Sequence, residues 1–255
     1  MGRLFCVYSV MALCAVAARA DTVTLIPDRD NTLISTSAGN LSDGAGDAFY
    51  AGRTRQSSID LQPRRAIIHF NLSSIPAGAT VTNATLRLVA DNRGQNGNRT
   101  MILHRLLQDW GQGTSNSYGV GATATNNDAT WIYRFYNPTN PTSSPKWTIP
   151  GGSFDKADSA SAICPNLGGA FTFSGISTST MASDIRAWLA DSANNFGWEI
   201  IGDENTQETA KRIFSRENTI VANRPQLTIT YAVPEPSSLI LLGAGISLLT
   251  LRRRP

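Results

Sequence analysis

Thr80-Val81-Thr82-Asn83-Ala84-Thr85-Leu86-Arg87-Leu88-Val89-Ala90 decides the fold. Leu86, Leu88 and Ala90 fall on one face, with Thr85, Arg87 and Val89 on the other. That two-residue period belongs to a β-strand with one buried side. Residues 226–231 repeat it, with Leu227, Ile229 and Tyr231 opposite Thr228 and Thr230. Further short runs at 66–70, 101–106, 170–173, 198–201 and 212–215 are separated by turn formers such as Asp43-Gly44-Ala45-Gly46-Asp47 and Asp91-Asn92-Arg93-Gly94. Many short strands and little helical periodicity predict an all-β domain, an antiparallel β-sandwich of jelly-roll-like form. One segment departs from this: Met181, Ile185, Trp188 and Leu189 recur at helical spacing from a Ser/Thr start near Thr180. They predict one short helix over 180–192 that closes an end of the sandwich, stopped by Asn194-Asn195-Phe196-Gly197. Residues 111–169, rich in Asn, Thr, Ser and Pro, read as an irregular insertion over the core.

The two ends of the chain carry addresses. Arg3 precedes an apolar stretch over 4–18 that ends in Ala18-Arg19-Ala20, a small-x-small site for signal peptidase. Cleavage after Ala20 leaves Asp21 first, and Leu13 before Cys14 does not suit a lipobox. At the other end, Pro234-Glu235-Pro236 is followed by an apolar run over 239–251 and then Arg252-Arg253-Arg254. A helix over 237–251 would rise about 22 Å, slightly short of a roughly 30 Å hydrocarbon core, which makes it a marginal transmembrane anchor. The terminal arginines should stay cytoplasmic, so everything before Pro234 is exported. Tripeptide, apolar helix and basic end together resemble the PEP-CTERM sorting signal of Gram-negative bacteria that make extracellular polysaccharide. The resemblance implies transient anchoring in the inner membrane, recognition by an exosortase that removes the tail near Pro234, Glu235 and Pro236, and delivery to the cell envelope, outer surface or extracellular matrix. The expected organisation is a signal peptide over 1–20, one domain over 21–232 and a sorting signal with its transmembrane helix over 233–255.

These addresses change what composition means. The chain has 22 Lys+Arg and 19 Asp+Glu. Five of the basic residues and one of the acidic ones lie in the terminal segments, so the domain carries 17 and 18 and sits near −1. Nucleic-acid binding through overall basicity is therefore excluded. Cys6 and Cys14 leave with the leader, so Cys164 alone remains and can form no internal disulfide. Stability has to come from a hydrophobic core.

No catalytic residue is assigned. His69 and His104 each fall inside an expected strand, and the chain lacks Gly-x-Ser-x-Gly, His-Glu-x-x-His, a phosphate loop and zinc-spaced Cys/His. A polysaccharide lyase could use Tyr118, Tyr133 or Tyr136 with His104 beside an arginine, and a hydrolase would need a carboxylate pair. The sequence brings neither set together. No cofactor is assigned; the calcium candidates are Asp28 and Asp30 in one turn and Asp43 and Asp47 in another, and neither segment matches an EF-hand or a repeated nonapeptide.

A second resemblance spans nearly all of 21–231. It runs through Asp28-Arg29-Asp30-Asn31, residues 44–52, Arg65-Ala66-Ile67-Ile68-His69-Phe70-Asn71-Leu72, Ile75-Pro76-Ala77-Gly78-Ala79 and Ala84-Thr85-Leu86-Arg87-Leu88. It continues through Asp109-Trp110-Gly111, Asn195-Phe196-Gly197-Trp198, Phe214-Ser215-Arg216-Glu217 and Arg224-Pro225-Gln226-Leu227. This ordered set resembles the DNRLRE-domain family, secreted bacterial β-sandwich modules of which some are grouped with alginate-binding carbohydrate-binding modules. The resemblance implies a binding or structural role. For an acidic exopolysaccharide the candidate contacts are Arg53, Arg55, Arg64 and Arg65, which can pair with carboxylates, and Trp131 and Trp147, which can stack on sugar rings. Trp110, Trp188 and Trp198 fall in expected ordered elements and read as core. Three readings stay open: a non-catalytic polysaccharide-binding surface protein, a purely structural surface protein without ligand, and an exported polysaccharide-active lyase or hydrolase.

Overall fold

The computed structural model describes residues 19–92 and 97–233. Ala18 of the expected leader site, Pro234, Glu235, Pro236 and the apolar tail lie outside the described residues. No helix among the described residues is long and apolar enough to cross a membrane. The strands are β1 (Arg19–Leu25), β2 (Arg29–Ile34), β3 (Leu41–Ser42), β4 (Ala48–Arg53), β5 (Pro63–His69), β6 (Thr80–Ala90) and β7 (Arg99–Leu106). They continue with β8 (Ala122–Thr123), β9 (Phe154–Cys164), β10 (Gly169–Ile176), β11 (Trp198–Ile201), β12 (Lys211–Phe214) and β13 (Gln226–Val233). One α-helix, α1 (Thr180–Ala190), sits between β10 and β11.

The fold is all-β and antiparallel. In one layer β6 is the spine, flanked by β13 and then β1 on one side and by β10 on the other, with Leu86 opposite both Leu227 and Phe173. The second layer runs β2-β5-β11-β7-β9. Strand β4 pairs with β12 of the first layer and with β5 of the second, so eleven strands form one continuous sheet folded on itself. Gly52 marks that crossing at φ +118°, where a Cβ would lie 2.8 Å from the Thr209 carbonyl oxygen, so glycine alone fits. The main core fills the space between the layers. Leu86, Leu88, Leu227 and Ile229 meet Ala66, Ile68, Leu103 and Ile200 there, all fully buried. Each large aliphatic side chain contributes about 1.5–3 kcal/mol by leaving water.

Helix α1 starts where the Ser179 side chain accepts the Ala182 N–H at 3.2 Å, an N-cap that satisfies one orphan donor. It buries Met181, Ala182, Asp184, Ile185 and Trp188 against this core, and a short 3-10 turn at Ser192–Asn194 replaces its expected last turn. Cys164 ends β9 and is fully buried; burial pushes its thiol up to about 11. The region 111–169 is not irregular throughout, because it contains β8 and all of β9.

What precedes β9 builds a further layer. Leu33, Ile67, Leu106, Trp110, Ala129 and Trp147 form a separate core cluster, with Trp131, Phe154 and Phe196 packed against it. Glu199 of β11 stands in register with Ile67 and His104 and is fully buried. Neither of its carboxylate oxygens has a hydrogen-bond partner among the described residues; its nearest cation is Arg65 Nη1 at 3.8 Å, and Gly152 packs directly on it. Burial pushes this carboxyl well above its ordinary 4.5, with Arg65 pulling the other way. The folded chain therefore holds a proton that the unfolded chain releases, and stability falls as pH rises from about that ordinary value through the folded one. Glu199→Gln should remove this component, so that urea midpoints measured between pH 4 and 8 decline less steeply than in wild type. An unaltered slope would show that Glu199 does not carry it.

Candidate functional site

Segments far apart in sequence meet at one end of β2. Asn31 organises them: its Nδ2 donates to the Gln112 carbonyl at 2.9 Å, while its Oδ1 accepts from Thr32 N at 2.6 Å and Ser42 Oγ at 3.0 Å. Asp30, buried on the same strand, accepts the Arg216 N–H at 2.8 Å. Arg29 donates through Nη1 to Asp109 Oδ1 at 3.0 Å and to the Trp110 carbonyl, and its guanidinium lies over the Trp110 ring at 4.9 Å. Trp110 Nε1 in turn donates to the Phe196 carbonyl at 2.9 Å. Gln112 bridges the remaining pieces, donating to Gly44 O and to Glu217 Oε1 at 2.8 Å each and accepting from Arg216 Nη1 at 3.2 Å.

Above this knot lies an open cleft of about 430 Å³, walled by Arg29, Gln112, Asn126, Asn127, Phe135 and Arg216. Both guanidinia are partly exposed here, with side-chain exposures of 26% and 37%. Beneath them, burial and then the neighbouring Glu217 push the Asp30 carboxyl well above the usual carboxylate range, against the pull of the Arg216 N–H and charge. Two partly exposed guanidinia, side-chain amides and one aromatic edge around an open cleft can pair with carboxylates and hydrogen-bond hydroxyls.

The residues singled out from sequence are placed differently. Arg64 is fully buried, donating through Nε to Gly119 O at 3.1 Å and through Nη1 to Leu61 O at 2.6 Å, and burial lowers it to about 10. Trp147 is 4% exposed and donates through Nε1 to Thr130 O at 2.9 Å. Neither offers a face to a surface ligand, which corrects both expectations. Arg65 grips Glu204 with Nε and Nη2 at 2.7 and 2.9 Å, and its guanidinium lies over Trp131 at 4.9 Å, so Trp131 stacks on a protein cation. Arg53 is held by Gln62 Oε1 at 2.6 Å and Asn205 O at 3.0 Å. Arg55 is largely exposed but pairs with Glu208 at 2.9 Å. Each of the four arginines is thus engaged within the protein, and Arg55 alone is largely exposed.

The calcium candidates do not converge either. Asp28 bonds His69 Nδ1 at 2.5 Å, and Asp30 takes the Arg216 N–H. Asp43 accepts from Ser117 N at 2.7 Å and Gly119 N at 2.8 Å, and Asp47 pairs with Arg212 Nη2 at 2.6 Å. Among the described residues no three His, Cys, Asp or Glu side chains are arranged to hold a metal. His104, considered as a base, is buried with Nδ1 3.1 Å from the Asp155 carbonyl. Tyr136 is buried and meets Tyr133 at 5.6 Å between ring centroids, Tyr118 is exposed, and the ring packed against His104 is that of Phe154 at 4.9 Å.

Sequence reasoning missed Gln112, Asn126, Asn127 and Phe135, and took Arg29 and Arg216 only as parts of motifs. For the two arginines the available signal was the set of conspicuous fragments, since Asp28-Arg29-Asp30-Asn31, Asp109-Trp110-Gly111, Asn195-Phe196-Gly197-Trp198 and Phe214-Ser215-Arg216-Glu217 all meet here; Gln112, Asn126, Asn127 and Phe135 lie in none of these fragments. Comparison with curated proteins gave no match. The PEP-CTERM protein-sorting motif matches residues 232–254, beginning on the last two residues of β13. By that motif the protein is exported and sorted to the cell surface by the exosortase route.

Proposed function

We propose that this is a non-catalytic surface or matrix protein of a Gram-negative bacterium whose sandwich binds acidic polysaccharide in the Arg29–Arg216 cleft. Before its tail is removed, the apolar C-terminal segment holds it in the inner membrane. One observation carries the binding reading: two arginines from distant segments open into a single cleft walled by amides and Phe135. Uronate residues present carboxylates and hydroxyls at regular intervals, which is the chemistry such walls accept. Kinship with DNRLRE sandwich modules is part of the proposal, supported by the way the resembling fragments converge on this site. The carboxylates nearby do not favour hydrolysis, because Asp30 is buried beneath the cleft and Glu217 is engaged by Gln112 and Arg216.

Titration calorimetry of the secreted protein against sodium alginate tests this. Arg216→Gln should weaken binding about tenfold at low salt, as loss of a charge-assisted contact does, with a smaller effect at high salt. The variant keeps the backbone N–H that Asp30 needs. Equal affinity of wild type and variant at both salt levels would remove the cleft from the account.

A further inference from the structure

Residues 113–127, Gly-Thr-Ser-Asn-Ser-Tyr-Gly-Val-Gly-Ala-Thr-Ala-Thr-Asn-Asn, leave one wall of the cleft and return to it. The segment has no charged side chain, and its Tyr, Ser, Gly and Asn are the residues that antibody loops use for contact. Its base is tied by Thr114 Oγ1 to Thr125 Oγ1 at 3.0 Å. Its tip presents Tyr118, 74% exposed, beside Val120, 62% exposed. Tyr118 holds φ +50°, a conformation that is an outlier for so bulky a residue.

The strain is over-determined from below. Asp43 accepts the N–H groups on both sides of Tyr118, at Ser117 and Gly119. Arg64 Nε donates to the Gly119 carbonyl, Ser117 Oγ accepts from Gly121 N at 2.9 Å, and Gly119 packs on the Tyr50 ring. Two buried ionisable residues thus fix the backbone around one exposed ring. Strain kept in place by such a scaffold marks functional positions more than accidental ones, and a backbone held in place before binding spares the entropy of ordering it on contact.

We propose that Tyr118 is a glycan-stacking residue, laid against a pyranose ring of the same polysaccharide whose carboxylates enter the cleft. The inference rests on the cleft reading and adds a second, uncharged contact to it. Stacking persists at high salt whereas charge pairing is screened, so the two contributions separate.

The test is calorimetric titration of the secreted protein with sodium alginate at high salt, using Tyr118→Gly, Tyr118→Ala and Tyr118→Phe. The glycine and alanine variants should bind about two- to tenfold more weakly, and phenylalanine, which keeps the ring, should stay within about twofold of wild type. Because the side chain is exposed and glycine suits positive φ, Tyr118→Gly should unfold at or above the wild-type temperature. Wild-type affinity in Tyr118→Gly together with weakened Arg216→Gln would overturn the role of Tyr118 and spare the cleft. A loss in Tyr118→Phe as large as in alanine would also overturn stacking, and absence of alginate binding by wild type would overturn both.

Discussion

Trp198→Ala should lower the free energy of unfolding by about 3–5 kcal/mol, the usual cost of truncating a large aromatic in a core. Trp198 is fully buried between the layers, meets Trp188 at 4.6 Å between ring centroids and Phe70 at 6.4 Å, and donates through Nε1 to Asp184 Oδ2 at 2.9 Å. Asp184 is itself buried on α1 and accepts from Ser159 Oγ at 2.5 Å, so truncation opens a cavity and removes one of two donors from a buried carboxyl. Trp188→Ala should cost a similar amount, and the double variant less than the sum, because the rings touch. Urea denaturation followed by far-ultraviolet dichroism reads all three. Midpoints within experimental error of wild type would mean that α1 and β11 do not share a core.

The second large effect is expected at Asp43. Asp43→Ala should cost about 3–5 kcal/mol, because the Ser117 and Gly119 N–H groups lose their acceptor while buried Arg64 loses a neighbouring counter-charge. The loop over 113–127 should then be cut by a low-specificity protease well before the sandwich is. Wild-type midpoint and wild-type digestion together would refute the scaffold assigned to Asp43.

What the sequence made legible follows from periodicity. The alternation in Thr80–Ala90 and the run Trp198–Ile201 emerge as strands β6 and β11 with the expected bounds, and the stripe through Met181, Ile185 and Trp188 emerges as α1. Strand β2 was not legible, because all but its first residue are buried and a strand covered on both faces does not alternate. Strand β9 escaped because it is built of Ala, Ser, Asp and Lys, with little of the β-branched or aromatic character that marks strands.

The site misled for a related reason. Arg53, Arg55, Arg64 and Arg65 cluster around one early loop in the sequence, yet Arg64 and Arg65 are neighbours on strand β5 and point to opposite faces. One enters the packing beneath Gly119 and the other turns to Glu204. Asp43 and Arg64 look like ligand groups by type and serve instead as internal supports. Arg29 and Arg216 reach one cleft because the segment after β12 is held to β2 through the Asp30 side chain, a long-range contact that no local pattern encodes.

Binding in the cleft can be read residue by residue from an amide chemical-shift map of the mature protein titrated with alginate oligomers. Perturbations should centre on Gln112, Asn126, Asn127 and Arg216, extend to Tyr118 and its neighbours, and shrink in Arg216→Gln. Perturbations confined to Arg53, Arg55 and Trp131, or absent everywhere at saturating oligomer, would contradict binding in the cleft.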